Sequence, residues 1–220
     1  MEIVTHDLLR LKNGCDITER FSKPKWVDEA LKRAPFVVVR RAPFLNNKVP
    51  VGIRGELRND RFGGLLLRSN IASIISPQKI VSNKLWLNTP RFSQIQVFSA
   101  LDFAYNIFKT YDLSWGPTGS VGFELVSGMP TVKSTSDLDI VIYVQELLSS
   151  IIAKQIYEKL RKAPVPIDAQ LETPHGAISL EEYTRGEYAR GDTPILLRTI
   201  NGPMLVKNPW DFDKPLEVTL

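Results

Sequence analysis

Two aspartates separated by one residue, Asp137 and Asp139, are the side chains in this sequence best suited to metal-assisted chemistry. They begin the apolar run DLDIVIYV, which predicts a strand at residues 137–144. Residues i and i+2 of a strand share a face and lie about 6.5–7 Å apart along it, so both carboxylates can approach one divalent cation. Mg²⁺ prefers such oxygen ligands. A bare Asp-x-Asp is better explained as a solvated strand start.

A glycine-rich turn lies 17 residues before the pair, since 137 − 120 = 17. In GPTGSVG, Gly119 lets the backbone come close to a ligand, and Ser120 opens a helix predicted at residues 121–127. Unpaired N–H groups and the helix dipole at such a start attract phosphate. The turn lacks the lysine of a Walker A loop, and its GxxGxxG spacing is not the dinucleotide fingerprint. By itself the turn is a weak signal, and Ser120 is better explained as a plain N-cap.

A third acid, Asp168, lies within VPIDAQL, a predicted strand at residues 165–171. A carboxylate in a strand centre is unfavourable unless it is paired or used. Three acids on two neighbouring strands would allow two-metal phosphoryl transfer. The alternative is an exposed strand face.

Cations for an anionic substrate are available in both halves of the chain. Arg54 lies in VPVGIRG and Arg198 in a predicted strand, and arginine suits bidentate phosphate contact. The other arginines of the N-terminal half are expected at the solvated surface; they are Arg40, Arg41, Arg58 and Arg61. The net charge of +4 and pI of about 9.1 suit an anionic substrate, an acidic protein or RNA. A nucleic-acid partner is not expected, because no dense basic stripe is present.

Composition excludes several kinds of site. The single cysteine, Cys15, cannot form an intramolecular disulfide, and with only His6 and His175 it cannot complete a four-ligand zinc site of Cys and His. The N-terminus lacks the pattern of a signal peptide, and no apolar run approaches the roughly 20 residues that span a bilayer. We therefore expect a cytoplasmic protein without a membrane partner.

Residues 1–88 are predicted to form a small α/β domain that binds substrate or a partner. A helix is expected at residues 23–33, with Ser22 as N-cap. Strands are expected at residues 36–39, 49–54 and 71–75, and Pro50 suggests that the second lies at a sheet edge.

Residues 89–220 are predicted to form the catalytic domain. Thr89-Pro90 is expected to start a helix whose apolar face carries Phe98, Leu101 and Phe108. Further helices are expected at residues 146–162, with Leu148 and Ile152 on the buried face, and from Ser179. Asn201-Gly202 predicts a hairpin between strands at residues 194–200 and 204–207. Alternating strands and helices indicate an α/β (α+β) fold with a mixed sheet.

The combination of Gly119-Ser120 with Asp137 and Asp139 resembles nucleotidyltransferases of the DNA polymerase β type. More narrowly, GPTGSVGFELVSGMP…SDLD, with HDLL at residues 6–9, VPVGIRG at 49–55 and IDAQLETP at 167–174, resembles one family. That family is phosphoribosyl-dephospho-CoA transferase, the holo-acyl-carrier-protein synthase of malonate decarboxylase. The similarity runs from His6 to Trp210.

The resemblance implies a donor, 2′-(5″-triphosphoribosyl)-3′-dephospho-CoA, and an acceptor, a serine of the acyl carrier protein subunit of malonate decarboxylase. Pyrophosphate is the leaving group. Asp137 and Asp139 would bind Mg²⁺, and Asp168 would complete a second metal site or accept the serine proton. Gly119 and Ser120 would hold phosphates, assisted by Arg54 and Arg198.

Two alternatives stay open at this point. The chain could transfer a nucleotide to a small molecule, RNA or another protein, as other members of that superfamily do. It could also be a binding module that has kept the fold and lost catalysis, although the intact Asp137 and Asp139 pair argues against that.

Overall fold

A computed structural model of the chain describes residues 2–12, 17–18, 22–57, 59–186 and 194–211. Within them, two six-stranded sheets follow one another along the chain, each with its own hydrophobic core. The first is antiparallel throughout, and the second is mixed. The predicted mixed α/β architecture is therefore confirmed. Cys15 and Arg58 lie outside the described residues.

The N-terminal sheet has the strand order β2-β5-β4-β3-β1-β6. Its strands are β1 (Leu8–Leu11), β2 (Ile17–Thr18), β3 (Phe36–Val39), β4 (Lys48–Arg54), β5 (Arg61–Leu67) and β6 (Ile71–Ile75). One helix, α1 (Lys25–Arg33), packs on β4 through Val27 and Ala30. The N-cap of α1 is Pro24, without a side-chain hydrogen bond, so the predicted cap at Ser22 is wrong.

Pro50 lies in the interior of the N-terminal sheet. β4 pairs with β3 on one side and β5 on the other, so the predicted edge position is wrong. The proline is tolerated because β3 ends at Val39, where pairing on that side stops, and the Pro50 carbonyl still accepts a hydrogen bond from the Arg40 N–H at 2.9 Å. The neighbour β5 was not predicted, because RFGGLLL contains two glycines and does not alternate.

The C-terminal sheet has the order β12-β11-β10-β9-β8-β7. Its strands are β7 (Ser114–Pro117), β8 (Leu138–Tyr143), β9 (Ile167–Thr173), β10 (Gly176–Ser179), β11 (Ile195–Thr199) and β12 (Gly202–Val206). The helices after the first sheet are α2 (Pro77–Ser82), α3 (Gln96–Tyr111), α4 (Gly119–Ser127), α5 (Ser150–Leu160) and α6 (Leu180–Arg185). Ile80 of α2 and Trp86 are buried, and Trp86 belongs to this second core.

Two predicted helices begin later than expected. Residues 89–95 form turns, with Phe92 N–H bonded to Thr89 and Ile95 N–H to Arg91, so α3 begins at Gln96. The apolar face of α3 is confirmed, since Phe98, Leu101 and Phe108 are buried.

Helix α5 begins at Ser150, whereas the prediction placed its start at residue 146. Leu148 is buried, but it lies in the loop before the helix. Its carbonyl accepts a hydrogen bond from the Tyr183 hydroxyl at 2.6 Å, in the loop that leads to Ser150. Ile152 is 37% exposed, so its predicted position on the buried face is wrong, and the neighbouring Ala153 is buried instead.

Local signals near the C-terminus were more reliable. Ser179 caps α6 by accepting a hydrogen bond from the Glu182 N–H, as predicted. The hairpin of β11 and β12 is also present. Its loop residues are Ile200 and Asn201, because Gly202 already pairs with Thr199. No helix among the described residues is long and apolar enough to cross a bilayer.

Arg41 connects the two sheets. Its guanidinium donates to both carboxylate oxygens of Glu172 on β9, at 2.5 and 2.6 Å. Both side chains are mostly buried, with 14% and 18% of their surface exposed. His6 lies beside them, 3.4 Å from the Arg41 guanidinium. This contact fixes the N-terminal sheet against the C-terminal sheet and so helps to define the space between them.

Candidate active site

Asp139 lies against the start of α4. β7 pairs antiparallel with β8, and the Thr118 N–H donates to the Asp139 carbonyl at 2.9 Å. This bond brings Gly119, with φ +58°, next to the Asp139 side chain. A Cβ at residue 119 would overlap the carboxylate oxygen Oδ2. Residue 119 must therefore be glycine for two reasons: its φ is positive, and a side chain would collide with the Asp139 carboxylate. The second reason could not be seen in the sequence.

The first turn of α4 is available to an anion. Thr118 is its N-cap residue and makes no side-chain cap hydrogen bond. The N–H groups of a first helical turn have no intrahelical acceptor, so those after Thr118 can donate to phosphoryl oxygens. Ser120 lies inside this turn and is not the N-cap. Ser120 is one of the residues that line the adjoining cleft.

Asp137 and Asp139 line the same cleft, as the i, i+2 spacing predicted. Asp139 is on β8 and partly buried, while Asp137 precedes the strand and is exposed. Burial raises the pKa of Asp139 to about 6, and repulsion from Asp137 and Asp168 adds to this effect. Arg54 and Arg61 oppose the rise. The two arginines do not fully offset burial and the repulsion between the carboxylates. A cation bound beside Asp139 would therefore be stabilised.

Asp168 stands directly beside Asp139. β8 and β9 are parallel, and these two residues are partners in the register. Neighbouring strands are about 4.8 Å apart, and residues paired in register face the same side of a sheet. The predicted neighbouring strand is therefore confirmed. Asp168 is exposed and is not among the residues that line the cleft, so its carboxylate lies beside the cleft.

The cleft has a volume of about 720 Å³ and is lined by residues from both parts of the chain. The part that carries the first sheet is called the N-terminal unit, and the part that carries the second sheet is called the C-terminal unit. The N-terminal unit contributes Arg54 and Arg61, which are partners across β4 and β5. The C-terminal unit contributes Lys133. Arg54 was predicted, but Arg61 and Lys133 were missed. Only the register of β4 with β5, a strand that the sequence did not indicate, places Arg61 opposite Arg54.

Arg198 is separated from these residues. It is exposed on β11, and strands β10 and β9 lie between β11 and β8. Three strand spacings correspond to about 14 Å. Arg198 lines neither of the two large cavities. The structure therefore brings together Gly119, Ser120, Asp137, Asp139 and Arg54, with Asp168 alongside, and leaves Arg198 apart.

The loop that leads into β8 is held by an ion pair between a partly exposed arginine and a buried glutamate. Arg91 donates to both oxygens of Glu124 on α4, at 2.8 and 2.9 Å. The main chain of Val132 joins them, with its N–H donating to Glu124 at 2.7 Å and its carbonyl accepting from Arg91 at 2.8 Å. Because Lys133 follows directly, this clamp positions one wall of the cleft.

The donor set fits Mg²⁺ that is bound together with a substrate. Among the described residues, no three His, Cys, Asp or Glu side chains form a ready-made metal site. Mg²⁺ is usually held by one or two carboxylates and by substrate phosphates, without an all-protein cage. Asp137 and Asp139 beside the start of α4 meet that requirement.

Comparisons with known proteins identify the family of the chain. Residues 84–209 match the family model described as phosphoribosyl-dephospho-CoA transferase MdcG C-terminal domain, and residues 4–77 match its N-terminal domain. A phosphoribosyl-dephospho-CoA transferase of Klebsiella pneumoniae strain 342 is 32% identical over 93% of this chain and 95% of its own. One from Pseudomonas putida is 35% identical over 85% of this chain and 86% of its own. No solved structure matches the chain with significance. The chain belongs to the phosphoribosyl-dephospho-CoA transferase family.

Proposed function

We propose that this enzyme transfers the 2′-(5″-phosphoribosyl)-3′-dephospho-CoA group to a serine of the acyl carrier protein of malonate decarboxylase. Its relatives are named phosphoribosyl-dephospho-CoA transferases over most of the chain. The observation that carries the proposal is the contact of Gly119 with the Asp139 carboxylate. It places the start of α4, which can bind phosphate, directly beside a carboxylate that can bind a cation.

The triphosphate of the donor is assigned to the cleft. First-turn N–H groups of α4 and the Ser120 hydroxyl would hold its terminal phosphates. Arg54 and Arg61 would meet it from the opposite wall and compensate charge on the departing pyrophosphate. Asp137 and Asp139 would hold Mg²⁺, which supplies Lewis-acid stabilisation of phosphoryl oxygens when bound.

In the reaction, the serine Oγ forms a bond to the phosphorus nearest the ribose. The bond from that phosphorus to the bridging oxygen breaks, and pyrophosphate leaves with the electron pair. We assign the serine proton to Asp168, because this acid is exposed beside the cleft and is the register partner of Asp139.

We also place the C-terminal unit with the nucleotidyltransferases of the DNA polymerase β type. The support is the order of its parts: a Gly-Ser helix start, an Asp pair entering a strand of a mixed sheet, and a third acid on the adjacent strand.

The test uses purified enzyme, the triphosphoribosyl-dephospho-CoA donor, Mg²⁺ and apo acyl carrier protein. Intact mass spectrometry should show the carrier gaining one phosphoribosyl-dephospho-CoA group on its serine, with release of pyrophosphate. A parallel reaction with ATP in place of the donor should leave the carrier unmodified. Efficient AMP transfer from ATP to another acceptor, with no reaction of the authentic donor, would overturn the proposal.

A further inference from the structure

A second cavity, here called the sheet pocket, lies between one face of the N-terminal sheet and the β7–α4 segment. Its volume is about 370 Å³, within the range of small-molecule sites. Most of its lining is apolar and comes from both units, including Ile53, Phe62, Ile75, Ile80 and Pro117. A cavity of this kind suits a flat, uncharged ring.

The sheet pocket adjoins the cleft that is proposed to be catalytic. Arg54, Arg61, Gly119 and Phe123 line both. A ligand whose phosphates occupy the start of α4 can therefore extend past Gly119 and Phe123 into the sheet pocket. The two cavities form one elongated site with a charged end and an apolar end.

Arg40 lies across a pair of glycines in the sheet pocket. Gly52 and Gly63 are register partners on β4 and β5, and a Cβ at Gly63 would overlap the Arg40 guanidinium. The glycines therefore give Arg40 room to lie along the sheet. Within the part of the chain that the structure describes, its guanidinium makes no hydrogen bond or ion pair. It remains available to a ligand, and arginine stacks on aromatic rings.

We propose that the sheet pocket binds the adenine ring of the donor, with Arg40 stacked on it. This inference rests on the proposed function. In that donor the triphosphate-bearing ribose is joined to the 2′ position of the adenosine, so adenine is the first aromatic group beyond the phosphates. The flexible pantetheine arm lies further away, past the diphosphate. The N-terminal unit would thus recognise the part of the donor that does not react.

The test measures binding and transfer separately. Calorimetry with dephospho-CoA, which lacks the triphosphoribosyl group, should show binding without Mg²⁺, whereas phosphopantetheine should not bind. Phe62→Ala and Arg40→Gln should each weaken dephospho-CoA binding and raise the donor KM by about tenfold, with kcat changed far less. Arg40→Gln alters an exposed side chain, so it remains informative if Phe62→Ala lowers stability.

Phe44→Ala is the matched control, because Phe44 is an exposed phenylalanine of the N-terminal unit outside both cavities. It should leave binding and KM unchanged. Unchanged dephospho-CoA binding in both Phe62→Ala and Arg40→Gln would overturn the adenine assignment, even if transfer to the carrier proceeds. Failure of the wild-type enzyme to modify the carrier would instead refute the proposed function, whatever dephospho-CoA does.

Discussion

The Cα of Gly119 and the carboxylate of Asp139 are packed so closely that no Cβ fits between them. The contact arises because the Thr118 N–H is bonded to the Asp139 main chain, which aligns the end of β7 with β8. The proposed phosphate-binding helix start and the proposed cation site are therefore held next to each other by the backbone. This relationship leads directly to the first prediction.

Gly119→Ala should abolish most transfer, because the new methyl group must displace the Asp139 carboxylate. Gly128→Ala is the control, since Gly128 also has a positive φ, +73°, but nothing within 4 Å of its Cβ position. Both variants should lose about 1 kcal/mol of stability from backbone strain. Only Gly119→Ala should lose activity, by at least about a hundredfold in kcat/KM. Equal activity of the two variants would contradict the assigned contact.

Asp139→Asn should lower kcat by about a hundredfold to a thousandfold, because it removes a proposed ligand of Mg²⁺, an ion that would stabilise transition-state charge. The metal-free protein should be no less stable, since the substitution removes repulsion from Asp137 and Asp168. Transfer assays and thermal unfolding measure the two effects. Asp28→Asn, on the exposed side of α1, should leave activity intact. Full activity of Asp139→Asn would refute the role of this residue.

Glu124→Gln should destabilise the protein by about 2–4 kcal/mol, because Arg91 loses its buried counter-charge. The clamp on Val132 also weakens, so the donor KM should rise more than kcat falls. Arg91→Lys keeps the charge but loses the forked geometry, and an intermediate effect is expected. Chemical denaturation measures the loss of stability, and steady-state kinetics measures the changes in KM and kcat. An unchanged unfolding midpoint in Glu124→Gln would show that the ion pair does not hold the loop.

Glu172→Gln should lower the thermal midpoint by about 3–6 °C, because Arg41 then lacks the carboxylate that joins the two sheets. The matched variant is Glu158→Gln, whose partner Arg161 is 63% exposed. That exposed pair should change the midpoint by about 1 °C or less. Similar midpoints for the two variants would argue against a stabilising contact between the sheets.

His6 should make stability depend on pH below neutrality. Burial lowers its pKa to about 4, with Glu172 opposing the shift and Arg41 reinforcing it. Between its ordinary pKa of 6.5 and this value, the unfolded chain binds the proton that the native state does not. The free energy of unfolding should therefore fall by about 2 kcal/mol between pH 7 and pH 5 on account of His6.

The pH effect is measured by comparing denaturant unfolding of the wild type and His6→Asn at several pH values. Asparagine tolerates the positive φ of 76° at this position. The variant should show a shallower dependence on pH, by the amount assigned to His6. Parallel curves for the two proteins would mean that His6 titrates normally in the native state.

Short-range patterns predicted several elements correctly. The apolar face of α3, the Gly128 end of α4, the cap at Ser179 and the strand after Asp137 each depend on interactions between residues close in the chain. For the same reason the shared cleft of Asp137 and Asp139 followed from their i, i+2 spacing at the start of β8, although Asp137 itself precedes the strand.

Predictions that depended on distant neighbours were less successful. Pro50 was expected at a sheet edge but lies inside the sheet, because β5 pairs with β4 on that side. The sequence of β5 does not alternate, so this strand could not be predicted. Thr89-Pro90 has a helix-start sequence, yet Arg91 is bound to Glu124 and Val132, and the segment forms a turn. Such contacts outweigh local propensity.

By itself, the sequence determined which residues could bind phosphate and metal, since Gly119-Ser120 and Asp137-Leu138-Asp139 are local signals. Only the tertiary structure decided that Asp168 stands beside Asp139, that Arg61 faces Arg54, and that Arg198 lies three strands away. The physical reason is that strand register and order depend on hydrogen bonds and packing between segments far apart in the chain, which no single segment encodes.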